Sequence, residues 1–210
     1  MAQLITTAAG QGEDQALRAM FAARKEVFVD LLKWDLPVLD GRFEIDQFDD
    51  PYAEYLILTD AGGDHLASAR LLPTDRPHIL DTLFADLCEA PPPRGHAVRE
   101  ITRFCLDRRL SARDRRLARN QLVTALADHA LANGIATYTG VAEMGWLQQI
   151  LSFGWDCMPL GLPVQHGSQL LGALRIRITE ATPALLAEAG IWSPVEMAQL
   201  DQRRAAGARG

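Results

Sequence analysis

The chain has 210 residues, of which 48% are hydrophobic, and a formal net charge of −6. That is enough apolar material for a packed core, and the negative balance argues against binding nucleic acid through bulk charge. Three cysteines (Cys88, Cys105, Cys157), odd in number and without CxxC spacing, argue against a disulfide framework or a zinc knuckle and fit a reducing cytoplasm.

Met1 to Gly10 carries no basic stretch leading into an apolar core, so no signal peptide is expected. No run approaches the roughly 18 apolar residues of a spanning helix. The expectation is a cytoplasmic protein without a membrane partner. Gln3 to Thr6 reads as a first edge strand. From Glu13 to Leu32, Leu17, Met20, Phe21, Val27, Phe28 and Leu31 fall three and four apart, the period of an amphipathic helix. Arg24 lies four residues before Phe28, so the two share one side of that helix. Residues 33–51 lose the period: Pro37, Gly41 and Pro51 interrupt a segment holding Trp34, Phe43 and the acidic run Glu44-Ile45-Asp46-Gln47-Phe48-Asp49. So long an irregular segment is functional or disordered, and its aromatics argue against disorder.

Tyr55–Thr59 and His65–Leu72 read as two strands around the Gly62-Gly63 turn, with Arg70 near the end of the second and Pro73 as the stop. Leu80 to Leu87 offers one or two helical turns carrying Phe84, and Pro91-Pro92-Pro93 a stiff connector. Ala97 to Leu106 is a strand in which alternation sends Glu100, Thr102 and Phe104 to one face and Ile101, Arg103 and Cys105 to the other. Charges directed to both faces of a mid-chain strand need partners. Ser111 to Ala132 is a helix capped by Ser111, with Leu117, Leu122, Val123, Leu126 and Leu131 as its buried stripe and Gly134 as its stop. A strand over 135–141, a helix over 143–152, a strand over 171–179 and a short helix opened by Thr182-Pro183 follow. Residues 1–195 read as one domain and 196–210, ending in Arg, Ala and Gly, as a flexible tail. This order predicts an α/β fold, a mixed central sheet covered by helices.

No Gly-rich phosphate loop, GxSxG or HExxH is present, and the histidines are dispersed, so no metal site is expected. Arg24, Asp46, Asp49, Arg70, Glu100 and Arg103 stand out as three basic and three acidic groups. If they meet, they form a balanced buried network, which is expensive to assemble for stability alone and points to a site. The segment 103–119 holds seven arginines against Asp107 and Asp114. Guanidinium groups beside a helix N-terminus suit phosphate. Arg108, Arg109, Arg113, Arg115 and Arg116 are therefore candidates for docking a coenzyme A pyrophosphate, a pantetheine phosphate or an acidic carrier protein, with a solvated helix face as the alternative. No aromatics interleave with them, and no nucleic-acid partner is expected.

In order and spacing the chain resembles the LuxI-type autoinducer synthases, the acyl-homoserine lactone synthases. The matching residues are Arg24 with Phe28, Trp34, Glu44-x-Asp46-x-Phe48-Asp49, Ala69-Arg70-Leu71-Leu72-Pro73-Thr74, Phe84 and Glu100-Ile101-Thr102-Arg103-Phe104, within residues 15–160. The resemblance implies a three-layer sandwich similar to the GNAT N-acetyltransferases. It implies an acyltransferase in which the α-amine of S-adenosylmethionine (SAM) attacks an acyl thioester on acyl carrier protein or coenzyme A. The product then lactonises with release of methylthioadenosine, giving a quorum-sensing signal. SAM is then a substrate, and no cofactor is expected.

On this resemblance catalysis falls to Glu100, Arg103, Asp46, Asp49, Arg24 and Arg70, with Glu100 as base for the ammonium, directly or through a water. Phe28, Trp34, Phe84, Arg24, Asp46 and Arg103 would hold SAM, whose sulfonium suits aromatic faces and carboxylates. Thr102, Leu126, Gly140, Ala142, Trp146 and Ile150 would wall the acyl chain, with ordinary core packing as the alternative. Relatives favouring 3-oxo chains carry a threonine on the strand where this chain has Gly140 or Thr139; Gly140 and Ala142 offer no hydroxyl, which points away from a 3-oxo donor. Two other readings stay open: a GNAT-like N-acyltransferase acting on another amine, and a non-catalytic module binding an acidic partner through the Arg103–Arg119 patch.

Overall fold

The structure, a computed structural model, describes residues 3–8 and 14–195; the tail expected over 196–210 lies outside them. Strand β1 (Gln3–Ala8) is followed by helix α1 (Asp14–Arg24), which does not continue as α-helix to Leu32 but widens into a π-helical segment, Lys25–Leu31. The apolar spacing alone does not distinguish the two, and the wider turn is a feature found at functional sites. The segment read as irregular contains a two-stranded ribbon, β2 (Val38–Leu39) with β3 (Phe43–Glu44). The hairpin is β4 (Glu54–Thr59) and β5 (His65–Pro73). Helix α2 (Ile79–Thr82) and a 3₁₀ turn at Ala85–Leu87 lead to β6 (Val98–Leu106). Then come α3 (Ala112–Asn133), β7 (Thr137–Glu143), α4 (Met144–Leu151), β8 (Asp156–Pro159), β9 (Val164–His166), β10 (Gln169–Arg177) and α5 (Thr182–Glu188). The short strands β8 and β9 were not expected from the sequence; both pair with β10.

The strands form one mixed sheet in the order β1-β4-β5-β6-β7-β10-β8, with β9 on β10. Neighbours run antiparallel except β6 and β7, which are parallel and pair only over Val98–Glu100 and Thr137–Thr139. Beyond Glu100 these strands part. On one face, Ala16 and Met20 of α1 and Ile79 of α2 pack on Tyr55, Ile57 and Leu72. On the other, α3, α4 and α5 pack on Leu56, Leu58, Ala69 and Leu71. The result is the three-layer sandwich expected.

Helix α3 starts as predicted: the Ser111 hydroxyl accepts from the Asp114 amide, and Gly134 takes the left-handed C-cap at φ +67°. Its buried face differs from the expected stripe. Ala118, Leu122, Leu126 and Ala130 face the sheet, whereas Leu117 and Leu131 are exposed. Small alanines let the helix approach the sheet closely, and the bulkier leucines are displaced to its flanks.

The second difference lies in β6. Ser68 pairs with Cys105 and Arg70 with Thr102, so β6 carries one residue more than β5 between these pairs. This bulge puts Arg103 at φ +49°, left-handed for a residue with a Cβ. Strict alternation fails there. Arg103 joins Glu100 and Thr102 on the α1 face, while Phe104 turns to the α3–α4 face with Ile101. Cys105 packs beside Phe28 on the α1 face.

Candidate active site

Five of the six singled-out charged residues meet in one buried network on the α1 face. Arg24, at the last turn of α1, donates to Glu44 and, through two nitrogens at 2.8 Å each, to both oxygens of Asp49. Arg70, on β5, donates to Asp46 at 2.7 and 3.1 Å and to the Thr102 hydroxyl at 2.9 Å, and forms an ion pair with Asp49 at 2.8 Å. Arg103 reaches Asp46 at 2.7 Å and Glu44 at 3.1 Å. The bulge is what allows this last reach: without the left-handed turn, Arg103 would project to the opposite face. A non-glycine residue held in that region costs on the order of 1–3 kcal/mol, which the surrounding contacts must outweigh.

Glu44 and Tyr55 belong to this network but were not among the candidate site residues. Glu44 is fully buried between Arg24 and Arg103, and the Tyr55 hydroxyl donates to Asp49 at 2.9 Å. Glu44 was visible as part of the acidic run, but its bridging position depends on the β2–β3 ribbon. Tyr55 carries no local signal beyond its place on a strand. Burial opposes the charges, yet Arg24 and Arg70 outweigh it and hold the Asp49 carboxyl well below the usual range. Asp46 is lowered in the same way, against burial, by Arg70 and Arg103. Asp46 and Asp49 are therefore ionised, and their ion pairs with Arg24, Arg70 and Arg103 fix the acidic loop against the sheet.

Glu100 is not a contact member of this network. Its carboxylate accepts from the Leu80 amide at 3.1 and 3.2 Å, at the start of α2. Among the described residues no salt bridge reaches it. Burial dominates and pushes its carboxyl up to about 8, with the α2 amides and the Arg70 charge opposing. Once deprotonated, a carboxylate so placed is a stronger proton acceptor than one in water.

A cavity of 590 Å³ is lined by Asp46 and Arg103 of the network and by Glu100, with Arg24, Glu44, Asp49 and Arg70 behind its wall. Its lining comes from both sheet faces: Phe28, Trp34 and Arg103 on one, Leu126, Trp146 and Phe153 on the other. It therefore passes through the sheet where β6 and β7 part. On the α1 face Phe28 and Trp34 stack at 4.9 Å and 19°, with the Arg103 guanidinium 5.7 Å from the Phe28 ring centre. The π-helical segment carries Phe28 into this position. On the α3–α4 face the chamber is apolar, with Trp146 5.2 Å from Phe104 and 5.9 Å from Phe153. Phe84, Thr102, Gly140, Ala142 and Ile150 also line the cavity, as does Glu143 at its exposed end.

The arginine patch is uneven. Arg109 is clamped on Asp107, and Arg115 donates to the Asp107 carbonyl and lines the cavity. Arg108, Arg113 and Arg116 are exposed. Among the described residues no group of three or more His, Cys, Asp or Glu is arranged to hold a metal ion, and no helix is long and apolar enough to cross a membrane.

The chain is similar to known proteins along most of its length. Its fold aligns with that of a CoA-dependent acyl-homoserine lactone synthase solved with SAM and isopentyl-CoA, at TM-score 0.81 and 27% identity, covering 94% of this chain and 93% of that one. An acyl-homoserine-lactone synthase of Rhizobium etli is 31% identical over 164 residues, 76% of each chain. One from Ralstonia solanacearum is 46% identical over 83 residues, which span 39% of this chain and 41% of that protein. The family model described as autoinducer synthase matches residues 10–183, and the chain belongs to that family.

Proposed function

We propose that this protein is an acyl-homoserine lactone synthase that makes a quorum-sensing signal from SAM and an acyl thioester. The observation that carries this reading is Glu100, a buried carboxylate with a raised pKa, on the wall of a cavity that links a charged, aromatic chamber to an apolar one. Two unlike substrates suit two unlike chambers. SAM enters on the α1 face, where Phe28, Trp34 and Phe84 meet its sulfonium and adenosyl group and Asp46 supplies negative charge. Of the three network arginines, Arg103 keeps the most side-chain exposure, 10% against 1% for Arg24 and 0% for Arg70, and takes the substrate carboxylate.

The α-ammonium passes a proton to Glu100, and the freed amine attacks the thioester carbon. The edge of β6 that faces β7 is unpaired beyond Glu100, and its amides are placed to receive the developing oxyanion. The thiol leaves on its carrier. The SAM carboxylate then displaces methylthioadenosine to close the lactone, a ring closure that needs chiefly a held geometry. The acyl chain lies between β6 and β7 and ends among Leu126, Ala142, Trp146 and Ile150. Arg108, Arg113 and Arg116 receive the anionic carrier, coenzyme A or acyl carrier protein.

The test is incubation with SAM and a series of acyl thioesters on both carriers, following methylthioadenosine and lactone by mass spectrometry. The reading predicts both products together with at least one donor. No methylthioadenosine with any donor would overturn it.

A further inference from the structure

Thr139 is fully buried, and among the described residues its hydroxyl has no hydrogen-bond partner. Such an orphaned polar group is costly, about 1–3 kcal/mol, and in a native structure calls for an explanation. Its place supplies one. Thr139 is the ladder partner of Glu100 in the parallel β6–β7 pair, at the last rung before the strands part. Partnered residues of a parallel ladder project to the same face, on strands about 4.8 Å apart. Both residues line the same cavity. The hydroxyl and the carboxylate therefore lie side by side at the point where the two chambers join.

We propose that Thr139 is a positioning residue: with Glu100 it holds a single water that carries the proton from the substrate amine to the carboxylate. This rests on the function proposed above and assigns a further residue to it. A buried water needs two to four polar partners, and Thr139, Glu100 and the substrate ammonium supply three. The step balances. The ammonium gives one proton to the water, the water gives one of its own to Glu100, and neutral amine, water and carboxylic acid result. Gly140, next on β7, lies close to β6 as well as on the cavity wall: a Cβ there would lie 3.1 Å from the Ile101 carbonyl oxygen. The charged and titratable groups around this pair are Arg70 on β5, Asp81 on α2 and Cys88 after the 3₁₀ turn.

The experiment compares wild type, Thr139→Val and Thr139→Ser, measuring methylthioadenosine release against pH, SAM affinity and thermal midpoint. Valine keeps the shape and removes the hydroxyl. The proposal predicts that Thr139→Val lowers kcat about tenfold or more and displaces its pH profile, with SAM affinity and thermal midpoint not reduced. Thr139→Ser restores turnover. A Thr139→Val variant with wild-type kcat and pH profile would overturn the proposal. So would a loss confined to 3-oxygenated acyl donors, which would assign the hydroxyl to the acyl chain instead. Failure of wild type itself to release methylthioadenosine would overturn the proposed function rather than this assignment alone.

Discussion

At the scale of single residues, two kinds of buried charge behave oppositely. Asp46 and Asp49 are held ionised by arginines, whereas Glu100 is pushed by burial toward its neutral form. The sign of the consequence for Glu100 is definite. Below about 8 the folded protein favours the protonated acid, which cannot accept a proton, so kcat rises with pH and levels off above that value. The stability gained from holding Glu100 protonated is fully present below about 4.5 and is lost as pH rises from there through about 8. A kcat that is flat between about pH 6 and 9 would contradict the assignment of Glu100 as base. Arg24 acts differently. It is fully buried and bound to two carboxylates, so Arg24→Ala leaves Glu44 and Asp49 short of a partner. Removing one partner of a buried ion pair destabilises by about 3–5 kcal/mol, which a denaturant titration would read directly. A change under about 1 kcal/mol would show that the network relaxes into water instead.

At the scale of elements, the site depends on irregularities. The β6 bulge turns Arg103 toward the acidic loop, the π-helical segment carries Phe28 to Trp34, and the short β6–β7 pairing opens the sheet. None of these has a strong local signature. Arginine at φ +49° violates local preference, so no reading of residue types would place it there. The hairpin and α3 were legible because their patterns run for many residues and end in strong stops. Ribbons and strands of two to four residues, such as β2, β3 and β8, are too short to show a period. Five of the six charged residues were legible as a set because burying them for stability alone is unfavourable; that Glu100 stands apart, and that Glu44 and Tyr55 join, follows only from tertiary packing. Away from the cavity, Gly161 packs tightly against the segment after the 3₁₀ turn: a Cβ would lie 2.6 Å from the Leu87 carbonyl oxygen and 3.1 Å from the Glu89 amide nitrogen. Both obstacles are backbone. Gly161→Ala is expected to lower stability by about 1–3 kcal/mol, seen as a lower thermal midpoint. An unchanged midpoint would mean that the Leu87–Glu89 segment yields easily.

At the scale of the whole molecule, the sandwich carries two unlike chambers, one on each face of the sheet, that meet at one opening. The network face supplies fixed charge, and the α3–α4 face supplies apolar volume. Trp146 stands in that apolar chamber between Phe104 and Phe153. Trp146→Leu enlarges it, so kcat/KM measured across a series of acyl chain lengths should move its optimum to longer donors. An unchanged optimum would make Trp146 a packing residue only. The central claim is that Glu100 takes the proton that frees the SAM amine. The most direct measurement is methylthioadenosine release by Glu100→Gln beside wild type, with SAM binding followed by calorimetry. Glutamine keeps the size of the side chain and removes the base. The account predicts a loss of about a hundredfold or more in kcat with SAM still bound; turnover within a few-fold of wild type would contradict it.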